Sequence, residues 1–158
     1  MAKDTPSMAK NKIKRSLVAI YDPHPSKTDE NQLWEYFESS CAYCGIFIER
    51  KSRTGHLDHL IPTSEGGSND IHNHALSCAR CNGDEKREQN WVGFLRSKAL
   101  DEVEFSRRKT KIDNWLEKSR RKNSDIEFEK QAEEIISKAI AEYECSVTAM
   151  RKLRDKIT

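Results

Sequence analysis

The sequence contains no run of 18 apolar residues, so no membrane-spanning helix is expected. Its opening stretch, MAKDTPSMAKNKIKRS, has no apolar h-region and does not read as a secretory leader. These two absences lead to the expectation of a cytoplasmic protein, a setting in which disulfides are rare. There is no internal repeat and no low-complexity run, and nothing reads as a βαβ unit or as a base-specific recognition module. Apolar residues are also in short supply, at 35% of 158 residues against 34% charged. The core should be modest, and a small core often needs a metal or disulfide staple.

The net charge of +2 says little, but its distribution says more. Residues 1–27 carry 6 Lys and Arg against 2 Asp and Glu, and residues 28–81 reverse this with 4 against 8. Residues 82–123 return to excess basic charge, 12 against 8, and residues 124–158 are mildly acidic, 6 against 8. An acidic middle between basic flanks suits a cation site beside arms for a polyanion. It equally suits ordinary charged helices.

Residues 1–27, with Pro6, Pro23 and Pro25, read as a basic and mostly extended tail. A helix is expected over 28–39, with Thr28 as cap and Leu33, Trp34 and Phe37 on one face. IFIER (46–50) alternates as a half-buried strand does, and HLDHLIP (56–62) reads as a second strand, giving a hairpin across the turn 51–55. Residues 63–70 read as a loop, and a helix should begin near Cys81. Later segments are helical: Trp91, Phe94 and Leu95 form one apolar face, and Phe105, Ile112, Trp115 and Leu116 another. In a last helix over 124–156, Ile136, Tyr143, Met150 and Ile157 fall seven apart, a heptad-like seam. Such a seam serves either packing within the chain or a homodimer or partner protein through helix 124–157. The segments are therefore a basic tail (1–27), a core (28–90) and a helical extension (91–158).

Four of the five cysteines form two pairs, Cys41-x2-Cys44 and Cys78-x2-Cys81. Two such knuckles complete a tetrahedral Zn²⁺ site, and the 33 residues from 45 to 77 are enough to hold a hairpin. A redox CxxC needs one pair and a βαβ surround, which this chain lacks. Zinc with four thiolates has no open position, so its role is structural and any reaction must come from other residues. Cys145 reads as a plain thiol in the last helix. Between the pairs lies Asp58-His59. Aspartate suits a hard divalent cation, and a histidine with a pKa near ~6.5 can accept a proton at neutral pH. An Asp-His dipeptide is common, however, and neighbours on a strand face opposite ways.

Asp58-His59-x2-Pro62, Gly66-Gly67, Asn73, Cys78-x2-Cys81-Asn82 and Lys86, in that order, resemble the HNH or ββα-metal endonucleases, in their four-cysteine branch. The resemblance spans about residues 41–86. It implies an α+β fold with a ββα-metal core and a structural zinc, and the residues that follow read as a mostly α-helical C-terminal extension. It also implies Asp58 and Asn82 as ligands of a catalytic Mg²⁺ or Mn²⁺, and His59 as the general base. Asn73 is implied as the brace that helps orient the histidine, and Lys86 as a backbone or phosphate contact. The expected activity is a deoxyribonuclease giving 5′-phosphate and 3′-hydroxyl ends, with DNA as the expected substrate. Two alternatives stand beside it: a nuclease subunit of a larger phage-defence or phage-encoded complex, and a non-cleaving, zinc-clasped nucleic-acid-binding module. The literal triplet His72-Asn73-His74 matches the family name only by coincidence, and of its three residues only Asn73 falls on a motif position. His56 shares the face of Asp58, and the basic runs 107–111 and 118–122 are candidate phosphate contacts.

Overall fold

The computed structural model describes residues 5–87, 89–119 and 126–157. By its contacts the chain forms two units, His24–Lys122 and Met1–Pro23 with Asn123–Thr158.

The first unit opens with α2 (Lys27–Tyr36). Its cap is Ser26, not the expected Thr28: Ser26 Oγ accepts from the amide of Asp29, whose carboxylate accepts in return from the Ser26 amide at 2.9 Å. This reciprocal box satisfies two amides that a helix start leaves open. Leu33, Trp34 and Phe37 all turn into the core, as their spacing predicts. Next comes the first cysteine knuckle, closed by the Gly45 amide on the Cys41 carbonyl and the Cys41 amide on the Ile46 carbonyl, both at 2.9 Å.

The sheet is a single antiparallel pair, β1 (Gly55–His59) against β2 (His74–Cys78), with His59 opposite His74 and Asp58 opposite Ala75. The expected hairpin between 46–50 and 56–62 is therefore wrong in its first strand. Ile48 alone of that segment is buried, and its amide bonds to Ser39, so the stretch closes the knuckle and does not extend the sheet. The true partner, HALSC, lay hidden because both its faces are covered: residues 74–77 are all buried, which erases the period-2 pattern. The Ala42 amide bonds to the Leu76 carbonyl at 2.8 Å, tying the knuckle to β2. A wide π-type helical turn, Arg80–Lys86, follows directly, and α3 (Trp91–Lys98) and α4 (Glu102–Leu116) complete the unit. The expected helix start near Cys81 thus lies one residue early, at Arg80. Helices α3 and α4, assigned to an extension by their sequence, lie in the same unit as the sheet. Trp115 donates its indole N–H to the carbonyls of His74 (2.9 Å) and Ile71 (3.2 Å), seating α4 on the start of β2.

The second unit corrects the reading of the N-terminus. Residues expected to be extended form α1 (Pro6–Tyr21), capped by Thr5, with Pro6 at the start where a missing N–H is harmless. It pairs with α5 (Ile126–Arg154), with Lys10 on Glu144 at 2.5 Å and Tyr21 edge-on to Phe128. Ile136 is buried in this pair, so the first half of the seam is used within the chain, while Met150 and Ile157 stay exposed. No described helix is long and apolar enough to cross a membrane.

The loop between the strands depends on its two glycines for different reasons. Gly66 has φ 82°, in the left-handed region, with open space where a side chain would go. At Gly67 an added Cβ would lie 1.8 Å from the Ile61 carbonyl oxygen and 2.9 Å from Asn73 Nδ2. Gly66→Ala should therefore cost about 1–2 kcal/mol of backbone strain. Gly67→Ala should cost more, because backbone must move. Urea unfolding of the two variants checks the order, and an equal or smaller loss for Gly67→Ala contradicts this account of the loop.

Candidate active site

The sulfur atoms of Cys41, Cys44, Cys78 and Cys81 all lie within 4.8 Å of one another, and none is in a disulfide. Cys44 Sγ and Cys78 Sγ are 3.8 Å apart. The edge of a tetrahedron with zinc–sulfur bonds of about 2.3 Å is also about 3.8 Å. Burial pushes the Cys44 thiol up to about 11 and Cys81 upward as well, with neighbouring cysteines adding to both. Burial also pushes on Cys41, but amide N–H groups of Cys44, Cys78 and Tyr43 outweigh it and bring that thiol down. Four thiols so close resist ionising together unless a cation sits among them, and the donor set suits Zn²⁺.

Asp58 and His59, although adjacent in the β1 ladder, both line one cleft of about 180 Å³ at the end of that strand. Leu57, Pro62, Thr63, Asn82 and Arg87 form the remaining walls. Asp58, His59 and Asn82 are thus brought together by the strand end and the helical turn that follows Cys81.

Asp58 is 6% exposed, and its Oδ2 accepts from the Tyr43 hydroxyl at 2.6 Å and faces Lys86 Nζ at 2.9 Å. Lys86, buried to 1%, also donates to the His59 carbonyl at 3.0 Å. One ammonium therefore fixes both the carboxylate and the backbone of its neighbour. A buried carboxylate is tolerable only when paired in this way. Burial, then the Asp58 carboxylate, raise the Tyr43 hydroxyl well above its ordinary range, so it stays protonated and donates. Tyr43 gave no sequence signal, since it lies inside the CxxC spacer. Arg87 went unnoticed too; it sits exposed on the cleft with φ 49°, an uncommon conformation for a non-glycine residue.

Asn73 lies outside the cleft walls. Its Oδ1 accepts from the Ile61 amide at 3.0 Å, its Nδ2 donates to the carbonyls of Ile61 (3.0 Å) and Ser68 (2.9 Å), and its carbonyl accepts from Leu60. It staples the chain leaving β1 to the chain entering β2. His56 is not a cleft residue. His72 bonds to Asp70 at 3.0 Å and packs on Trp115. His74, which matches no motif position, is buried with its ring 4.1 Å from that of His59.

Three of the four basic residues of the run 107–111 have partners within the chain. Arg108 donates to the Tyr43 carbonyl (2.6 Å) and to Glu104 (2.7 Å), Lys109 pairs with Asp113, and Lys111 pairs with Glu38. These side chains mainly hold α4 in place. Arg120, Arg121 and Lys122 lie outside the described residues.

The module is thus a two-stranded, helix-backed unit held around four thiols, with a carboxylate, an imidazole and an amide on one cleft. Residues 41–88 match the family model described as HNH endonuclease. No curated protein matches the chain.

Burial, then repulsion by His59, lower the His74 pKa from 6.5 to about 4. The unfolded chain then takes up this proton at higher pH than the folded one, so stability is present above ~6.5 and lost as the pH falls toward 4. The loss reaches at most about 3 kcal/mol. His74→Gln should flatten this part of the stability curve, as followed by chemical denaturation at several pH values. An unchanged slope contradicts the assignment.

Proposed function

We propose that the chain is an endonuclease that hydrolyses phosphodiester bonds in nucleic acid, DNA being the expected substrate, with His59 as general base and one divalent cation. The observation that carries this reading is the joint placement of Asp58, His59 and Asn82 on one cleft inside the segment that matches the nuclease family. The donor set fits a hard cation. Asp58 Oδ2 is taken by Tyr43 and Lys86, which leaves Oδ1 as the ligand oxygen, and Asn82 adds an amide oxygen. Two protein ligands leave room for water and substrate, as Mg²⁺ or Mn²⁺ requires. When bound, the cation supplies charge stabilisation at a non-bridging phosphate oxygen and at the leaving oxygen.

The protein's own groups do the rest. His59 takes the proton of a water whose oxygen bonds to phosphorus, and the bond from phosphorus to the 3′ oxygen breaks in line. The products are a 5′-phosphate and a 3′-hydroxyl, the latter reprotonated from solvent. Lys86 and Tyr43 hold the Asp58 carboxylate in place, and Asn73 staples the loop that follows β1. Arg87 is the exposed cation best placed to meet the phosphate.

Plasmid nicking with Mg²⁺ tests this. Wild type should cut and EDTA should stop it. His59→Ala should lose at least about 100-fold, within the range of a lost general base, and Asn82→Ala should be weakened with its Mg²⁺ requirement raised. Equal cutting by His59→Ala would remove the base assignment. No cutting of DNA or RNA by clean wild type would favour the non-cleaving binding module.

A further inference from the structure

We propose that Asn69 is a positioning residue that sets which ring nitrogen of His59 is free to take a proton. The inference rests on the reading of His59 as the base, and it concerns a residue that no motif position includes. His59 Nε2 lies 3.2 Å from Asn69 Oδ1. An amide oxygen only accepts, so Nε2 carries the hydrogen in this contact. A neutral imidazole has one N–H, and Nδ1 is then left with the lone pair. The contact chooses the tautomer, as a hydrogen bond to the second nitrogen does for histidines generally.

The loop that carries Asn69 also holds the ring in place. His74 lies against the His59 ring with centroids 4.1 Å apart and planes tilted by 50°. His74 is itself fixed, because its Nδ1 faces the Asp70 carbonyl at 2.9 Å, and a carbonyl can only accept. Asp70 in turn caps the short turn that leads into β2, its Oδ1 accepting from the His72 amide at 2.8 Å. Asn69, Asp70 and His74 thus form a bracket around one face and one edge of His59. Asn73 touches only backbone at this loop. Its effect on the histidine is therefore indirect, through the loop shape, and the direct polar contact is that of Asn69.

The decisive measurement is independent of cleavage. Long-range ¹H–¹⁵N correlation spectra of ¹⁵N-histidine-labelled, zinc-loaded full chain, without Mg²⁺ or nucleic acid at about pH 8.5, report the tautomer of a neutral ring. The His59 signals are assigned with His59→Ala. Wild type should show the Nε2–H form. Asn69→Ala should give a mixture of both forms, and Asn69→Asp, which keeps an acceptor oxygen in place, should restore Nε2–H. In the nicking assay Asn69→Ala should lower kcat roughly ten-fold with KM within about two-fold, since it disturbs the orientation of a group that touches the reacting water. An Nδ1–H form in wild type overturns the proposal without any variant. So does an unchanged tautomer in folded Asn69→Ala, or an unchanged kcat despite a shifted tautomer. Wild type that shows the expected tautomer but fails to cut would count against the nuclease reading and leave the tautomer assignment standing.

Discussion

The approach of four thiols to within 4.8 Å of one another sets the geometry of everything near the cleft. Cys78 ends β2 and Cys81 lies in the helical turn that begins at Arg80, so the second knuckle joins strand to helix. Cys41 and Cys44 bring the first knuckle onto β2 through the Ala42 amide. Tyr43, carried between those two cysteines, then reaches Asp58, and Lys86, five residues past Cys81, reaches the same oxygen. The four-thiol cluster at one end of the module thus sits between two buried donors that reach a carboxylate on the strand. Cys41 and Cys81 are themselves part of the buried core, so the thiol cluster and the apolar packing hold the same segments in register.

A second constraint is the buried ion pair. Lys86 and Asp58 are both nearly inaccessible, and removing one partner of such a pair typically costs about 3–5 kcal/mol because the other charge is stranded. That arrangement is a poor source of stability in itself. Its value lies in leaving Asp58 with one committed oxygen and one open one, and in tying the His59 backbone to the same ammonium. The π-type winding of residues 80–86 fits this role, since such turns are rare and occur often where a side chain must be re-aimed.

Much of this was legible in the sequence, and what was missed has physical causes. The paired cysteines carry a spacing with a chemical meaning, and the structure gathers their four sulfurs; Asp58, His59 and Asn82, singled out by the family resemblance, line one cleft. Helix α2 was legible because Leu33, Trp34 and Phe37 pack on one side only. Strand β2 was not, because His74, Ala75, Leu76 and Ser77 are covered on both faces and show no alternation. Segment 46–50 misled for the opposite reason: its alternation serves the knuckle around Ile48. The helix α1 was obscured by Pro6, which reads as a breaker but sits at a helix start. Tyr43, Asn69 and His74 left no signal, since their roles depend on contacts across the fold.

The central claim is that the thiol clasp organises the cleft. It is tested most directly by metal analysis of the purified chain combined with removal of the metal under reducing conditions. The account predicts one zinc per chain. It further predicts that stripping the zinc abolishes cooperative unfolding of the unit that contains the sheet, and that Mg²⁺ alone cannot bring back any nicking. A zinc-free chain that keeps its fold and its activity would contradict it.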